Sequence, residues 1–147
     1  MAVKPIPEGS RTLTAYLTVE GASELMEFLT KAFDAKELHR SRRPDGSLWH
    51  AEMAIGDSRL MLGDATPQWR PRPCTLHVYV PDVDATYRAA VEAGAKSMME
   101  PANQIYGDRM SGVEDRWGNQ WWIATHVEDI SMAEMERRTA QAANASG

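Results

Sequence analysis

Apolar and polar residues alternate along Leu13-Thr14-Ala15-Tyr16-Leu17-Thr18-Val19, the pattern of a strand with one face against an apolar layer. The same alternation returns at Leu76-His77-Val78-Tyr79-Val80, about 61 residues downstream. A helical stripe follows each strand. In the first, Leu25, Phe28, Leu29, Ala32 and Phe33 share one helix face. In the second, Val83, Tyr87, Ala90 and Val91 do so, and Gly94 is placed to end the helix.

Strand signals then cluster in both halves. The first half reads Glu37 to Arg42, a turn at Pro44-Asp45-Gly46, His50 to Ile55, a tight turn at Gly56-Asp57, and Arg59 to Leu62. The second reads Ser97 to Glu100, Arg109 to Val113, a turn around Trp117-Gly118-Asn119, and Gln120 to Thr125. Pro101 to Gly107 is expected to be a long loop able to act as a lid. The chain therefore reads as a duplicated β-α-β-β-β unit. Module one covers about residues 10–65, a Pro-rich solvated linker 66–73, and module two about 74–128. Ser131-Met132-Ala133-Glu134 is a capping box for a C-terminal helix over about 131–142.

One helix covers only one face of such a sheet. The expected fold is α+β: two modules forming a curved mixed sheet with helices outside and a cleft within. Alternation assigns the side chains. Leu13, Ala15, Leu17, Val19, Leu76, Val78, Met53, Leu60, Leu62, Trp121 and Ile123 should meet the helices. Tyr16, His50, Glu52, Arg59, Met61, His77, Tyr79, Trp122 and His126 should then face the cleft.

Composition narrows the function. Among 147 residues, 16 basic side chains stand against 21 acidic ones, a net charge of −5, with no electrostatic footprint for nucleic acid. The single cysteine, Cys74, allows no intrachain disulfide and no cysteine-built zinc site. No apolar run approaches the roughly 20 residues of a membrane span, and the N-terminal segment has no signal-peptide pattern, so a cytoplasmic protein is expected. Glycine-rich phosphate loops, Gly-x-Ser-x-Gly elbows and dinucleotide fingerprints are absent.

Several segments resemble the vicinal oxygen chelate superfamily, which includes glyoxalase I, bleomycin-resistance proteins and extradiol dioxygenases, and within it the PhnB-like branch. They are Tyr16-Leu17-Thr18-Val19, His50-Ala51-Glu52-Met53, Leu76-His77-Val78-Tyr79-Val80-Pro81-Asp82-Val83-Asp84, and Tyr106 to Met110 continuing into Val113 to Trp121. The resemblance implies the paired-module fold over about residues 11–128 and a homodimer, to which Met132 and Met135 of the last helix would add. It also implies metal ligands, in metal-dependent members, at about Thr14, Met61, Thr75 and Trp122. None of these suits a divalent metal, so the expected cofactor is none.

Two functions follow. The first is a small-molecule-binding protein whose partner is a small organic ligand held by Tyr16, His50, Arg59, Tyr79, Tyr106, Arg109 and Trp122, with Trp49 and Trp69 nearby in sequence. Arg109 is either an anion clamp at the cleft mouth or one half of an ion pair with a local acid such as Glu114 or Asp115. The second is a metal-dependent lyase, isomerase or transferase. There a divalent ion sits at His50, Glu52 and His77, and Glu52 or His77 accepts a proton. A hydrogen-bonded polar network is the plainer reading of that trio.

Overall fold

The computed structural model describes residues 2–146 and divides into two compact units, with the boundary between Cys74 and Thr75. The first unit runs β1 (Ala15–Val19), α1 (Ala22–Phe33), β2 (Lys36–Arg42), β3 (Leu48–Ile55) and β4 (Ser58–Asp64). The second runs β5 (Thr75–Tyr79), α2 (Val83–Glu92), β6 (Lys96–Asn103), β7 (Asp108–Glu114), β8 (Gln120–His126) and α3 (Met132–Ala145). Each unit is the expected β-α-β-β-β, with its own four-stranded mixed sheet, ordered β1-β4-β3-β2 and β5-β8-β7-β6. The first strand of each pairs parallel to the last, and the other pairings are antiparallel. The fold is α+β.

In the first unit α1 lays Leu25, Met26, Phe28, Leu29, Ala32 and Phe33 on Leu17, Val19, Met53, Leu60 and Leu62, all buried. Each fully covered leucine contributes about 1.5–3 kcal/mol. In the second unit Val83 and Ala90 of α2 do the same over Val113, Trp121 and Ile123. The expected partner Val91 is instead 38% exposed, because the helix turns it off the contact face. Leu13 is 89% exposed: β1 begins only at Ala15, so the alternation that placed Leu13 against α1 does not reach it.

The duplication extends to fine structure. Leu38 on β2 and Met98 on β6 are each the extra residue at a register shift, Leu38 between pairs Glu37↔Met53 and His39↔Glu52, Met98 between Ser97↔Val113 and Met99↔Gly112. The helix N-termini are clamped from the same place in each sheet. Asp64, ending β4, accepts from the backbone N–H groups of Gly21 (3.1 Å) and Ala22 (2.8 Å). Thr125 of β8 accepts from the N–H of Val83 (2.9 Å) and donates to the Val80 carbonyl (2.8 Å). Gly21, the N-cap of α1, has no side chain to cap with, so the carboxylate comes from tertiary structure. Helix α3 starts as expected, with Ser131 Oγ accepting from the Glu134 N–H, and runs past the anticipated end to Ala145.

One loop expectation is corrected. Residues 101–103 belong to the edge strand β6, whose proline sits beside a register shift where a ladder N–H is dispensable. What remains is a tight turn closed by Gln104 N–H to Asp108 O (2.7 Å), too short to be a lid. The Pro-rich segment between the units is solvated as expected, residues 67–73 all being exposed, and it is hydrogen-bonded to the first unit. Thr66 and Trp69 exchange hydrogen bonds across a turn, and the Arg72 N–H donates to Thr18 O.

Candidate functional site

The face of the first sheet turned away from α1 carries a cavity of about 320 Å³ lined by Tyr16, Thr18, Arg43, Trp49, Gly63, Asp64 and Trp69. Tyr16 and Thr18 reach it by the alternation of β1, opposite the buried Leu17 and Val19. Trp49 arrives by a different route. The pairing steps from Ser41↔His50 to Arg42↔Leu48, so Trp49 is an extra residue that breaks the period of β3. Strict alternation from Ala51 and Met53 sends it toward the helix, whereas the bulge leaves it 63% exposed beside Tyr16. Trp69 is delivered by the Thr66–Trp69 turn, with Pro67 in the position that favours such a turn.

Gly63 is the floor. A Cβ there would lie 2.7 Å from the Trp49 carbonyl oxygen and 2.9 Å from the Tyr16 hydroxyl, so only glycine admits both. Arg43 opens the β2–β3 turn, where its N–H donates to Ser47 O and Gly46 takes a positive φ of 87°. Its guanidinium donates to Ser47 Oγ (3.2 Å) and Leu48 O (3.4 Å). Burial raises the Tyr16 phenol above its ordinary pKa, a shift partly opposed by the Arg43 charge. The hydroxyl therefore stays protonated near neutrality and donates weakly to Trp49 O (3.5 Å). Asp64 is committed to structure: besides α1 it accepts from the buried Leu48 N–H at 2.6 Å.

His50 and Glu52 share the face of Tyr16. The His50 ring lies 5.8 Å from that of Tyr16 and 6.1 Å from His39, while Glu52 stands between Met61 and His39 in the strand register. Arg59 is further along the same face, beside Gly9, and borders a small cavity with Arg11, Thr14 and Asp57.

His77, Tyr79, Trp122 and Tyr106 belong to the second unit. His77 is paired with Trp122 across β5 and β8, and its ring lies 4.7 Å from Tyr79. The Trp122 indole lies over Gly112, where an added Cβ would come within 2.5 Å of it. The Tyr79 hydroxyl donates to Asp108 Oδ2 (2.8 Å), and Asp108 Oδ1 meets His126 Nδ1 (2.8 Å). The other nitrogen of His126 meets Asp129 (2.7 Å). Hydrogen bonding to Asp108, then to Asp129, raises the His126 pKa above its ordinary value. The Asp108 hydrogen bond likewise raises that of Tyr79, and burial followed by the Asp108 charge raises that of Tyr106, whose hydroxyl rests on Met110 Sδ. This proton-bearing chain is set by the pairing Asp108↔His126. Sequence reading placed His126 inward but had no signal linking it to Asp108, 18 residues away.

Arg109 stands one residue along, on the face of β7 that packs α2, and Asp84 holds it through two hydrogen bonds of 2.8 and 3.0 Å. It is a strut between sheet and helix, not an anion clamp, and its partner is neither Glu114 nor Asp115. Trp121 is core, with its indole N–H on the buried Asp115 (2.9 Å).

Of the trio offered for a metal, His50 and Glu52 belong to the first unit and His77 to the second. Within either unit, among the described residues, no group of three His, Cys, Asp or Glu side chains stands where it can hold a metal ion. Nor do Thr14, Met61, Thr75 and Trp122 offer a donor set for a divalent metal. No described helix is long and apolar enough to cross a membrane.

A family model described as the Glyoxalase/Bleomycin resistance protein/Dioxygenase superfamily matches residues 12–123. An uncharacterized protein of Mycobacterium bovis is 36% identical over 135 residues, covering 84% of this chain and 89% of its own. Among solved structures, TioX from Micromonospora sp. ML1 superposes with a TM-score of 0.68 at 20% identity, covering 80% of this chain and 100% of its own. A putative 3-demethylubiquinone-9 3-methyltransferase, PhnB protein, from Bacillus cereus gives a TM-score of 0.63 at 19% identity, covering 78% and 99%. These two structures share the fold.

Proposed function

The chain belongs to the glyoxalase/bleomycin resistance protein/dioxygenase superfamily, and from that premise we propose that it binds a small organic molecule without a resident metal ion. The reading rests on the aromatic cavity of the first unit, where Tyr16, Trp49 and Trp69 converge around Gly63. Its volume of about 320 Å³ falls in the range of small-ligand sites, about 300–1,000 Å³. Indole and phenol walls give a planar ligand large contact area at little entropic cost. Three separate devices bring the walls together: alternation of β1, a bulge in β3 and a turn after β4. The metal-dependent lyase, isomerase or transferase reading finds less support, because the family's ligand positions hold Thr, Met and Trp.

The test is calorimetric titration of the full chain, before and after chelation, with 2-naphthalenemethanol as a neutral planar probe. Binding should survive chelation, and Trp49→Ala or Trp69→Ala should weaken it by at least about tenfold, or ~1.4 kcal/mol. Unchanged affinity in both variants, or binding lost with the metal, refutes the proposal.

A further inference from the structure

We infer that the cavity of the first unit selects planar molecules carrying a carboxylate or a comparable anionic acceptor, with Arg43 as the group that reads the charge. The inference rests on the ligand-binding reading above and names the class of ligand.

It follows from the hydrogen-bonding capacity of the cavity wall. Arg43 contributes a guanidinium, whose nearest partners are a hydroxyl and a carbonyl of its own turn at 3.2 and 3.4 Å. Both contacts are long for a charged donor, whose strong hydrogen bonds run about 2.7–2.9 Å. No carboxylate forms an ion pair with Arg43 among the described residues. Its close acid, Asp45, feels the Arg43 charge but gives its hydrogen bonds to Ser47, accepting from both the N–H (2.9 Å) and Oγ (2.6 Å). Tyr16 adds a hydroxyl that burial keeps protonated and whose present contact is stretched to 3.5 Å. Thr18 adds a second hydroxyl on the same strand face.

Asp64, the one acid in the wall, has both oxygens occupied by backbone N–H groups from three residues. Its charge is matched by those donors and by the N-terminal end of α1, where anions are favoured. The wall therefore presents donors with unspent capacity and one acid most of whose acceptor sites are taken by backbone N–H groups. A partly buried guanidinium beside indole rings is a site for a planar anion: the rings take the plane and the fork takes the two carboxylate oxygens. The overall acidity of the chain, −5, favours cations at long range. Short-range hydrogen bonding outweighs that bias, since exposed charges beyond about 8–10 Å are screened at physiological salt.

The experiment compares three probes of one ring system on the full chain: 2-naphthoate, 2-naphthalenemethanol and 2-naphthylmethylammonium. The naphthoate should bind about tenfold tighter than the alcohol, in line with one added charge-assisted contact, and the ammonium more weakly than the alcohol. Arg43→Gln should bring the naphthoate down to the affinity that the same variant shows for the alcohol. Arg43→Lys should keep a carboxylate preference. A far-ultraviolet circular dichroism spectrum unchanged from wild type shows that the variants are folded. Equal affinity for naphthoate and alcohol in the wild-type chain, a preference that survives Arg43→Gln, or tighter binding of the ammonium overturns the inference while leaving the ligand-binding reading in place. Failure of all three probes to bind refutes that reading and this one together.

Discussion

Removing the Asp64 carboxylate tests how the aromatic cavity is held. In Asp64→Ala, α1 loses the cap that Asp64 supplies, and Gly21 has no side chain to substitute for it. Loss of an N-cap acceptor costs about 0.5–2 kcal/mol. The same substitution strips the Leu48 N–H of its partner at 2.6 Å, in a residue with 0% exposure. A buried donor left unsatisfied costs about 1–3 kcal/mol. The two losses act at different places and should largely add, giving about 3 kcal/mol. With a urea m-value of about 1–3 kcal/mol/M, the midpoint should fall by about 1–3 M. Asp64→Asn retains one acceptor for Gly21 and Ala22 but turns an amide donor toward the Leu48 N–H, and should lie between wild type and alanine. Thr125→Val, which removes the matching clamp of α2, should cost about 1–2 kcal/mol because it orphans one N–H and carries no charge. Urea unfolding followed by circular dichroism gives the comparison. A loss below about 1 kcal/mol for Asp64→Ala would refute the clamp, and a Thr125→Val loss equal to or above it would refute the ordering.

Two further predictions concern the second unit. Trp121→Ala should cost about 3–5 kcal/mol by emptying a buried site and removing one of the hydrogen bonds to Asp115, whereas Trp122→Ala, on the partly exposed face over Gly112, should cost far less; equal losses in chemical denaturation would show the strand parity to be wrong. His126, held by Asp108 and Asp129, has a folded-state pKa above its unfolded value of about 6.5. Its contribution to stability is thus fully present below about pH 6.5 and lost as pH rises through the folded pKa, so wild type should gain stability relative to His126→Gln on acidification through that window. An NMR titration placing the His126 pKa at or below 6.5 would remove the basis for this.

The periodicity of the chain determined a great deal: two β-α-β-β-β units, the helix-facing leucines, and the face assigned to Tyr16, His50, Glu52, His77 and Trp122. These are consequences of local periods, 2.0 in strands and 3.6 in helices, which any stretch of sequence displays. The segments around Tyr16, His77 and Trp117-Gly118-Asn119 were also enough to identify the superfamily. What sequence could not display is everything carried by register and by breaks in the period. Trp49 reached the cavity because a bulge reversed the alternation, and Trp69 because a turn folded a segment that composition alone marks as linker. Asp64 and Asp108 acquired their partners through pairings across 16 to 43 residues. Arg109, one position from Asp108, was turned to the opposite face and taken by Asp84. Each of these was decided by where distant strands come into register, because hydrogen-bond partners are chosen by proximity in the folded chain and not by distance along it.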